Sequence, residues 1–297
     1  MPIDVAVVIV NFNAGPLLAT TLYSLPGGLR GVDWEASVVD NHSSDFSERA
    51  AEATDPRVRL LRQSANVGFA RGVNAGVAVT RAPLVLILNP DCRLSVDAVT
   101  RLSRELAQHP KCAIIGPRIL DPAGTLQESA RGDPTLFTGL FGRTTAFSYL
   151  FPSLPVVRRN LAAEAALRSG QSSALVDWVS GACMLARREA LGSVGGFDER
   201  YFLYWEDADL CRRLRRSGWH VRYMPDAVAI HEVGQSSRHV PALANREFHR
   251  SAYRYYITHV VPQRWHPGRP LAWLILRARA LMFRSLPPAR RPTGTTP

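Results

Sequence analysis

Long hydrophobic runs are missing from the sequence. Its longest uninterrupted apolar stretches, such as Val5 to Val10 and Leu271 to Leu276, are six residues long in a chain of 297. A helix that crosses a bilayer needs about 20 apolar residues, so we expect no membrane-spanning segment. The chain begins Met1-Pro2-Ile3-Asp4, with an acid where a signal peptide is apolar. We therefore expect a cytoplasmic protein.

Cysteine is also scarce. The four cysteines, Cys92, Cys112, Cys183 and Cys211, include no close pair. This spacing excludes a C-x-x-C zinc or redox site and argues against a disulfide framework. We expect four ordinary, partly buried thiols in a reducing compartment.

Acidic residues are almost absent from the last sixty positions. From Arg238 to the end, eleven arginines stand against the single acid Glu247, and the net charge of the whole chain is +11. The rest of the chain is therefore nearly neutral. This asymmetry favours contact between the C-terminal part and an anionic partner. Nucleic acid, anionic lipid and a phosphate-bearing substrate all remain open as that partner.

Strand-like and helix-like segments alternate through the first half of the sequence. Apolar runs predict strands at 5–12, 36–40, 58–61 and 84–89, and helical spacing predicts helices at 16–25, 68–79 and 96–108. Later segments predict strands at 178–186, 220–223 and 228–231, and a helix from about Trp205 to Gly218. This order predicts an α/β fold whose parallel or mixed sheet is covered by helices on both sides.

Four polar clusters follow the predicted strands of the first half. They are Asn11-Phe12-Asn13, residues 40–45, residues 66–74 and Asn89-Pro90-Asp91. Ligands of such sheets bind beyond the carboxyl ends of the strands, so the four clusters together predict one binding edge. The third cluster opens a helix, and its free backbone N–H groups, helped by Arg71, are suited to a diphosphate. Any one cluster alone is more typical of a turn or a helix cap.

Three acids, Glu206, Asp207 and Asp209, lie at the start of a predicted helix, next to a tryptophan. Two interpretations stand side by side. Acids in a first turn complement the helix dipole, and Asp209 can pair with Arg212 or Arg213 one turn on. Acids crowded beside an aromatic ring can also hold a raised carboxyl pKa, which suits a general base.

Asp91 and His231 are candidate ligands of a divalent cation. Asp91 comes just after a buried strand, and His231 ends a late strand. Mixed oxygen and nitrogen ligands suit Mn²⁺ as well as Mg²⁺. A lone histidine is more often a packed or surface residue, so spacing alone leaves the role of His231 open.

Together, these motifs resemble those of the family 2 glycosyltransferases of the GT-A fold, particularly the bacterial rhamnosyltransferase-like branch. They occur in the expected order and cover roughly residues 3 to 235. The matching stretches are VVIVNFN (7–13), VVDNHSSD (38–45), NVGFARGVN (66–74), LILNPD (86–91), SGACMLA (180–186) and GGFDERYFLYWEDADLCR (195–212).

The resemblance implies a GT-A (Rossmann-like) three-layer α/β/α sandwich with a mixed, mainly parallel sheet. The sequence after this domain predicts, independently of the resemblance, a C-terminal helical extension. The glycosyltransferase domain would comprise residues 1–235, with a nucleotide-sugar-binding half (1–118) and an acceptor and catalytic half (119–235). Residues 236–297 match no family motif and are expected to form the basic helical extension. Within it, 271–283 is either an interfacial helix on an anionic membrane or a helix docked on the domain. The aromatic-rich stretch 135–171 is either a lid or a packed insertion.

The resemblance also implies residue roles. Asp207 takes the place of the catalytic base, with Glu206 as its neighbour. Asp91 is the implied direct ligand of Mg²⁺ or Mn²⁺, and His231 approaches the same metal. Asn89 stands where many members have aspartate and contacts either the metal or the ribose. The implied nucleotide-sugar-binding residues are Asn11, Asn13, Asp40 (on the base), Asn41, Ser43, Gly68, Arg71, Asn74 and Asn89.

The implied activity is that of an inverting, metal-dependent glycosyltransferase. The expected donor is dTDP-L-rhamnose, and the expected acceptor is a hydroxyl of a cell-envelope glycan or of a polyprenyl-diphosphate-linked sugar. The expected place is the cytoplasm or, peripherally, the inner face of the cell membrane. Base and metal must lie on opposite sides of the sugar, so we expect the late acids to fold over the sheet edge formed by the first half.

Three alternatives stand beside this interpretation. One is a glycosyltransferase that uses a UDP-sugar donor. Another is a nucleotidyltransferase, although Asn11-Phe12-Asn13 occupies the place of the glycine-rich loop that those enzymes need. The last is a basic nucleic-acid-binding protein, but the basic tail contains no known binding motif, so no nucleic acid partner is expected.

Overall fold

The computed structural model describes residues 3–127, 129–133, 170–232 and 241–282. All but the last two residues of the segment 135–171 lie outside these ranges, and so do most of the residues that connect the sheet to the C-terminal helices. The lid and insertion interpretations of that segment therefore stay predictions.

The described residues form twelve strands, which are β1 (Val5–Asn11), β2 (Trp34–Asp40), β3 (Val58–Arg62), β4 (Leu84–Leu88), β5 (Cys92–Leu94), β6 (Cys112–Leu120), β7 (Leu126–Gln127), β8 (Ala130–Arg131), β9 (Ala174–Leu175), β10 (Trp178–Val179), β11 (Cys183–Arg187) and β12 (His220–His231). Ten of them form the central mixed sheet, in the order β3-β2-β1-β4-β11-β6-β12-β5 with β7 and β9 at its margins, and β8 and β10 form a separate pair. The pairs β1–β2, β1–β4, β2–β3 and β6–β12 are parallel, and β11 runs antiparallel between β4 and β6.

Helices cover both faces of this sheet. The helices are α1 (Leu17–Gly28), α2 (Arg49–Ala53), α3 (Phe69–Ala78), α4 (Ala98–Gln108), α5 (Arg188–Ser193), α6 (Glu206–Arg216), α7 (Pro241–Tyr255) and α8 (Gly268–Met282), with a π-helical turn (Tyr256–Val260) after α7. Alternate residues of β1 face opposite layers: Val7 and Ile9 belong to the core that contains Leu18 of α1, and Val8 to the core that contains Val73 of α3. Each such fully buried side chain contributes about 1.5–3 kcal/mol of hydrophobic stabilisation. The predicted three-layer α/β/α arrangement is confirmed.

Two predicted strand boundaries were wrong. The single strand expected at 178–186 is divided into β10 and β11, because the backbone of the intervening turn bonds elsewhere: Ser180 N–H donates to the carbonyl of Ser129, and Gly181 N–H to Asp207. The two strands expected at 220–223 and 228–231 are one strand, β12, interrupted by a bulge between Met224 and Val228. The bulge interrupts the regular strand pattern, which explains why the sequence predicts two separate strands here.

Three further elements differ from the sequence prediction. Helix α1 continues through Pro26 to Gly28, beyond its expected end at residue 25. Strands β5 and β6 had no counterpart in the sequence prediction, although both belong to the sheet. All four cysteines are buried and unbridged.

The C-terminal helices pack on the sheet domain through α6. Arg212 Nη1 lies 3.1 Å from the Tyr255 hydroxyl and Nη2 lies 2.9 Å from the carbonyl of His259. The Ser251 hydroxyl donates to the carbonyl of Leu203, in the segment just before α6. The part of the chain that the structure describes contains no helix of the length and apolarity needed to span a membrane.

Candidate active site

Asn11 and Asp40 meet at the carboxyl ends of two neighbouring strands. They are register partners at the ends of the parallel strands β1 and β2, and both side chains are buried. Asn11 Nδ2 donates to Asp40 Oδ1 over 2.9 Å, and the Ser43 backbone N–H donates to Oδ2 over 3.1 Å. The Ser43 hydroxyl also donates to Oδ1 over 2.6 Å. Three donors therefore fix the orientation of one carboxylate at the sheet edge.

Two further predicted residues extend this corner. Asn13 adopts a left-handed conformation (φ +50°), and its N–H donates to the Ser43 hydroxyl over 3.1 Å. Asn41 Nδ2 donates to the carbonyl of Gly68 over 3.0 Å, which ties the end of β2 to the beginning of α3. The structure thus brings Asn11, Asn13, Asn41 and Gly68 together around Asp40.

The beginning of α3 lies against the chain that precedes α6. Gly68 has φ +86°, and a Cβ at this position would come within 2.5 Å of the Phe202 carbonyl oxygen. Phe69 N–H donates to that same oxygen over 2.8 Å, and Gly68 N–H donates to Asn66 Oδ1 over 3.0 Å. Protein acceptors therefore already occupy these two N–H groups, so the expected use of the helix's free N–H groups for a diphosphate does not extend to Gly68 and Phe69.

Arg71 and Asn74 project from α3 towards the loop of residues 195–199. Asn74 is held there by two bonds, from its Nδ2 to the carbonyl of Phe197 and from Phe197 N–H to its Oδ1. Arg71 Nε lies 3.1 Å from Glu199 Oε2, and its side chain is 57% exposed. An exposed ion pair of this kind contributes little stability, so the guanidinium can exchange Glu199 for another anion at small cost.

Asp91, Asn89 and His231 form a second corner at the same edge. His231 Nε2 lies 3.2 Å from Asp91 Oδ1 and 3.4 Å from Asn89 Nδ2. His231 Nδ1 lies 3.0 Å from Gln127 Oε1, and Gln127 Nε2 donates to the His231 carbonyl over 2.7 Å. The amide oxygen of Gln127 accepts a hydrogen bond from the Nδ1–H group, so in the neutral imidazole the other nitrogen, Nε2, carries no proton.

This corner fits a divalent cation. Asp91 Oδ1 is buried and lies 3.2 Å from His231 Nε2, so a carboxylate oxygen and an imidazole nitrogen, both suited to a divalent cation, face each other. The described ranges contain no group of three or more His, Cys, Asp or Glu residues placed to hold a metal. Among the described residues, this corner offers the two ligands Asp91 and His231, which suits a cation that shares its other positions with water and a phosphate-bearing substrate. Sequence reasoning missed Gln127, whose two-residue strand belongs to no motif.

Asp207 connects to this corner through the turn at residues 180–182. Gly181 N–H donates to Asp207 Oδ2 over 3.0 Å, and Ala208 N–H donates to Oδ1 over 2.8 Å. The carbonyl of Ala182 in the same turn accepts the N–H of Asn89 over 2.9 Å. One three-residue turn therefore touches both the candidate base and the residue two positions before Asp91.

The backbone before Asp207 is strained. Tyr204 and Trp205 both adopt left-handed conformations, with φ of +67° and +71°. Bulky residues rarely adopt this conformation, which costs about 1–2 kcal/mol each. This kinked entry starts α6 with its acids next to the turn at residues 180–182.

Glu206 and Asp209 differ from Asp207 in their surroundings. Burial raises the pKa of the Glu206 carboxyl well above its usual value, and the nearby charge of Asp207 raises it further. Its Oε2 atom is buried without a hydrogen-bond partner among the described residues. Asp209 is instead fully paired, with Arg213 Nε at 2.7 Å and His259 Nε2 at 2.6 Å. The expected pairing of Asp209 with an arginine one turn on is confirmed for Arg213, and the raised pKa belongs to Glu206.

Comparison with known proteins adds to this geometry. The profile of the family "Glycosyl transferase family 2" matches residues 6–166. The chain is 33% identical over 306 aligned positions to the N-acetylglucosaminyl-diphospho-decaprenol L-rhamnosyltransferase of Mycobacterium tuberculosis. The alignment covers 96% of this chain and 95% of that protein.

Two solved structures share the fold. The mannosyltransferase PcManGT from Pyrobaculum calidifontis, in complex with GDP-Man and Mn²⁺, superposes with a TM-score of 0.56 at 18% identity over 96% of this chain and 76% of that one. GalNAc-T7 with UDP, GalNAc and Mn²⁺ superposes with a TM-score of 0.59 at 14% identity over 94% of this chain. This chain spans 55% of the length of GalNAc-T7. Both likenesses confirm the GT-A fold.

Proposed function

Since the chain belongs to glycosyltransferase family 2 and is a sugar-transferring enzyme, we propose that it transfers L-rhamnose from dTDP-L-rhamnose to a polyprenyl-diphosphate-linked sugar, with inversion at the anomeric carbon. The observation that carries the mechanism is the turn at residues 180–182, which bonds Asp207 on one side and Asn89 on the other. In this proposal the turn holds the proton acceptor, Asp207, next to the corner that binds the diphosphate.

The nucleotide half of the site is assigned to the corner around Asp40. In this proposal the Asp40 carboxylate accepts a hydrogen bond from the base, because Asn11 and Ser43 hold it rigidly at the sheet edge. Asn13 and Asn41 shape the same corner, and Gly68 and Asn74 border the ribose. Arg71 exchanges its exposed partner Glu199 for a diphosphate oxygen when the donor binds.

The diphosphate half is assigned to Asp91 and His231. These residues would hold Mg²⁺ or Mn²⁺, with Asn89 on the ribose or the metal and with Gln127 fixing the imidazole tautomer. When bound, such a cation neutralises the charge that develops on the departing nucleoside diphosphate.

Asp207 is the proposed general base. It takes the proton of the acceptor hydroxyl while that oxygen attacks the anomeric carbon from the face opposite the diphosphate, which gives inversion in one displacement. The N–H groups of Gly181 and Ala208 stabilise its charged form. Burial and the charge of Asp207 raise the pKa of Glu206, so Glu206 holds its proton to higher pH than an ordinary glutamate does, which favours Asp207 as the charged acid of the two.

The acceptor and the place of action extend the same proposal. The relative from Mycobacterium tuberculosis is named for a diphospho-decaprenol acceptor and aligns over almost its entire length. An acceptor of that kind is anchored in a membrane by its polyprenyl chain, so we place the enzyme peripherally on the inner face of the cell membrane. Residues 1–118 then bind the donor, and residues 119–235 bind the acceptor and carry the base.

A panel of nucleotide sugars tests the donor. The full chain is heated with dTDP-rhamnose, dTDP-glucose, UDP-glucose, UDP-N-acetylglucosamine and GDP-mannose, each with Mn²⁺ or with EDTA, and slow donor hydrolysis is followed alongside. We expect the largest stabilisation and the fastest hydrolysis with dTDP-rhamnose and Mn²⁺. Preference for a UDP-sugar would overturn the rhamnose assignment, and stabilisation unaffected by EDTA would overturn the metal assignment.

A further inference from the structure

Helix α8 presents an apolar face that the described residues leave exposed. Leu271, Leu274 and Leu281 are 58%, 57% and 52% exposed, and Trp273 is 44% exposed. The three leucines recur at helical spacing and share one side of the helix. Isolated exposed leucines are ordinary, but a contiguous apolar stripe of this size on one helix indicates a contact surface.

The opposite face of α8 is fixed against the rest of the protein. Ala272 and Leu276 are almost completely buried, and Ala272 packs in a cluster with Tyr256 and Val261. Asn245 Nδ2 of α7 donates to the carbonyl of Ala280 over 2.9 Å. These contacts set the rotation of the helix, so the leucine face is directed outward by the fold.

Charge indicates what covers this face. Helix α8 contains no acid, and one acid accompanies eleven arginines from Arg238 to the end of the chain. The Arg277 guanidinium lies 5.1 Å from the centre of the Trp273 ring, so an aromatic ring and a cation stand together on the exposed side. An exposed apolar stripe with tryptophan and arginine on it is the composition of a helix that lies in the interface of an anionic bilayer.

The position of α8 relative to the site gives this face a purpose. Helix α8 packs on α7, and α7 contacts the residues just before α6, with the Phe248 ring 5.9 Å from the Trp205 ring. Trp205 immediately precedes Glu206 and Asp207. Two packed helices thus connect the leucine face to the entry of the helix that carries the candidate base.

We propose that the face formed by Leu271, Trp273, Leu274, Arg277 and Leu281 is a membrane-docking surface that inserts into the headgroup region of an anionic bilayer. Its use in presenting a lipid-anchored acceptor rests on the proposed function, whereas the binding itself does not. Leucine side chains enter the apolar boundary, and the arginine remains with the phosphate groups.

Vesicle co-sedimentation of the full chain tests this surface. The probes are vesicles of phosphatidylcholine alone and of phosphatidylcholine with phosphatidylglycerol. Leu274→Glu is compared with Leu175→Glu, which makes the same change at a leucine of equal exposure (55%) on β9. We expect binding to the anionic vesicles only, weakened about tenfold or more by Leu274→Glu and less than twofold by Leu175→Glu, because one buried leucine contributes about that much.

Three outcomes would overturn the surface: no binding to anionic vesicles, equal binding by the two variants, or a dimer in solution that Leu274→Glu dissociates, which would assign the face to a second copy. Stabilisation by nucleotide sugars, measured without lipid on the same samples, separates this result from the proposed function. Vesicle binding without stabilisation by any of the nucleotide sugars would support the membrane-docking surface and argue against the donor proposed above. Stabilisation by a nucleotide sugar without vesicle binding would support the proposed function and overturn the membrane-docking surface.

Discussion

His259 Nε2 lies 2.6 Å from Asp209 Oδ1, although fifty positions separate the two residues. Their side chains are 2% and 1% exposed. Arg213 completes the arrangement on the other carboxylate oxygen. A buried acid on the helix that carries Asp207 thus depends on a histidine from the C-terminal π-helical turn, so the extension is bonded into the core of the candidate catalytic half.

His259→Ala should therefore destabilise the whole protein. The substitution leaves the Asp209 carboxylate buried without one of its two partners. This should lower the free energy of unfolding by about 2–4 kcal/mol. Urea unfolding at pH 7 measures the loss, with His220→Ala as the control because that histidine is exposed. A loss of unfolding free energy below about 1 kcal/mol for His259→Ala would mean that the His259–Asp209 pair does not hold the C-terminal helices on the sheet domain.

The sheet-edge corners could be predicted from the sequence, whereas this pair could not. Asp40 and Asp91 follow short apolar runs, and parallel strands bring their carboxyl ends to one edge whatever the details of packing. His259 and Gln127 come from a π-helical turn and a two-residue strand, and neither element has a periodic pattern. Their roles depend on contacts between segments about 50 or 100 positions apart, which local sequence does not encode.

Glu206→Gln should change how stability depends on pH. The unfolded chain releases the Glu206 proton near the usual value of 4.5, while the folded chain keeps it to higher pH because burial and Asp207 raise its pKa. Between these two values stability falls as pH rises, by about 1.4 kcal/mol per pH unit for one group. Glutamine removes this fall, so the variant should gain stability relative to the parent as the pH rises above about 4.5. Thermal melting at several pH values measures the difference, with Glu52→Gln as the control at an exposed carboxyl. Parallel curves for Glu206→Gln and the parent would contradict the raised pKa of Glu206.

Gln127→Leu should weaken metal binding without removing a ligand. Gln127 holds both Nδ1 and the carbonyl of His231, and loss of such an orienting partner typically costs 10–100-fold in metal affinity. Calorimetric titration with Mn²⁺ in the presence of a nucleoside diphosphate measures the affinity directly. Gln108→Leu, an exposed change at the end of α4, serves as the control. An unchanged Mn²⁺ affinity for Gln127→Leu would argue against His231 as a ligand.

Asp207→Asn should separate transfer from donor binding. The amide keeps the size of the side chain but cannot accept the acceptor proton, so transfer should fall by about 10²–10⁴-fold. Stabilisation by the donor should stay close to that of the parent, and Asp226→Asn, at an exposed position, should leave both unchanged. Transfer at the parent rate by Asp207→Asn would show that another group is the base.

Gly68→Ala should be far more costly than its backbone angle alone requires. Gly68 and Gly124 have similar φ values, +86° and +83°, but only at Gly68 would a Cβ meet another atom, 2.5 Å from the Phe202 carbonyl oxygen. Gly124→Ala therefore measures the left-handed backbone alone, about 1–2 kcal/mol. Gly68→Ala adds a clash with a backbone atom that cannot move without shifting the segment before α6. Urea unfolding should show that Gly68→Ala lowers the free energy of unfolding at least twice as much as Gly124→Ala does.

Gly68→Ala should also weaken stabilisation by the nucleotide sugar. The beginning of α3 and the Phe202 carbonyl are joined by the Phe69 N–H bond, so a shift of one moves the other. Equal losses for the two alanine variants would mean that α3 does not press against this segment and that the donor corner and the entry to α6 are independent.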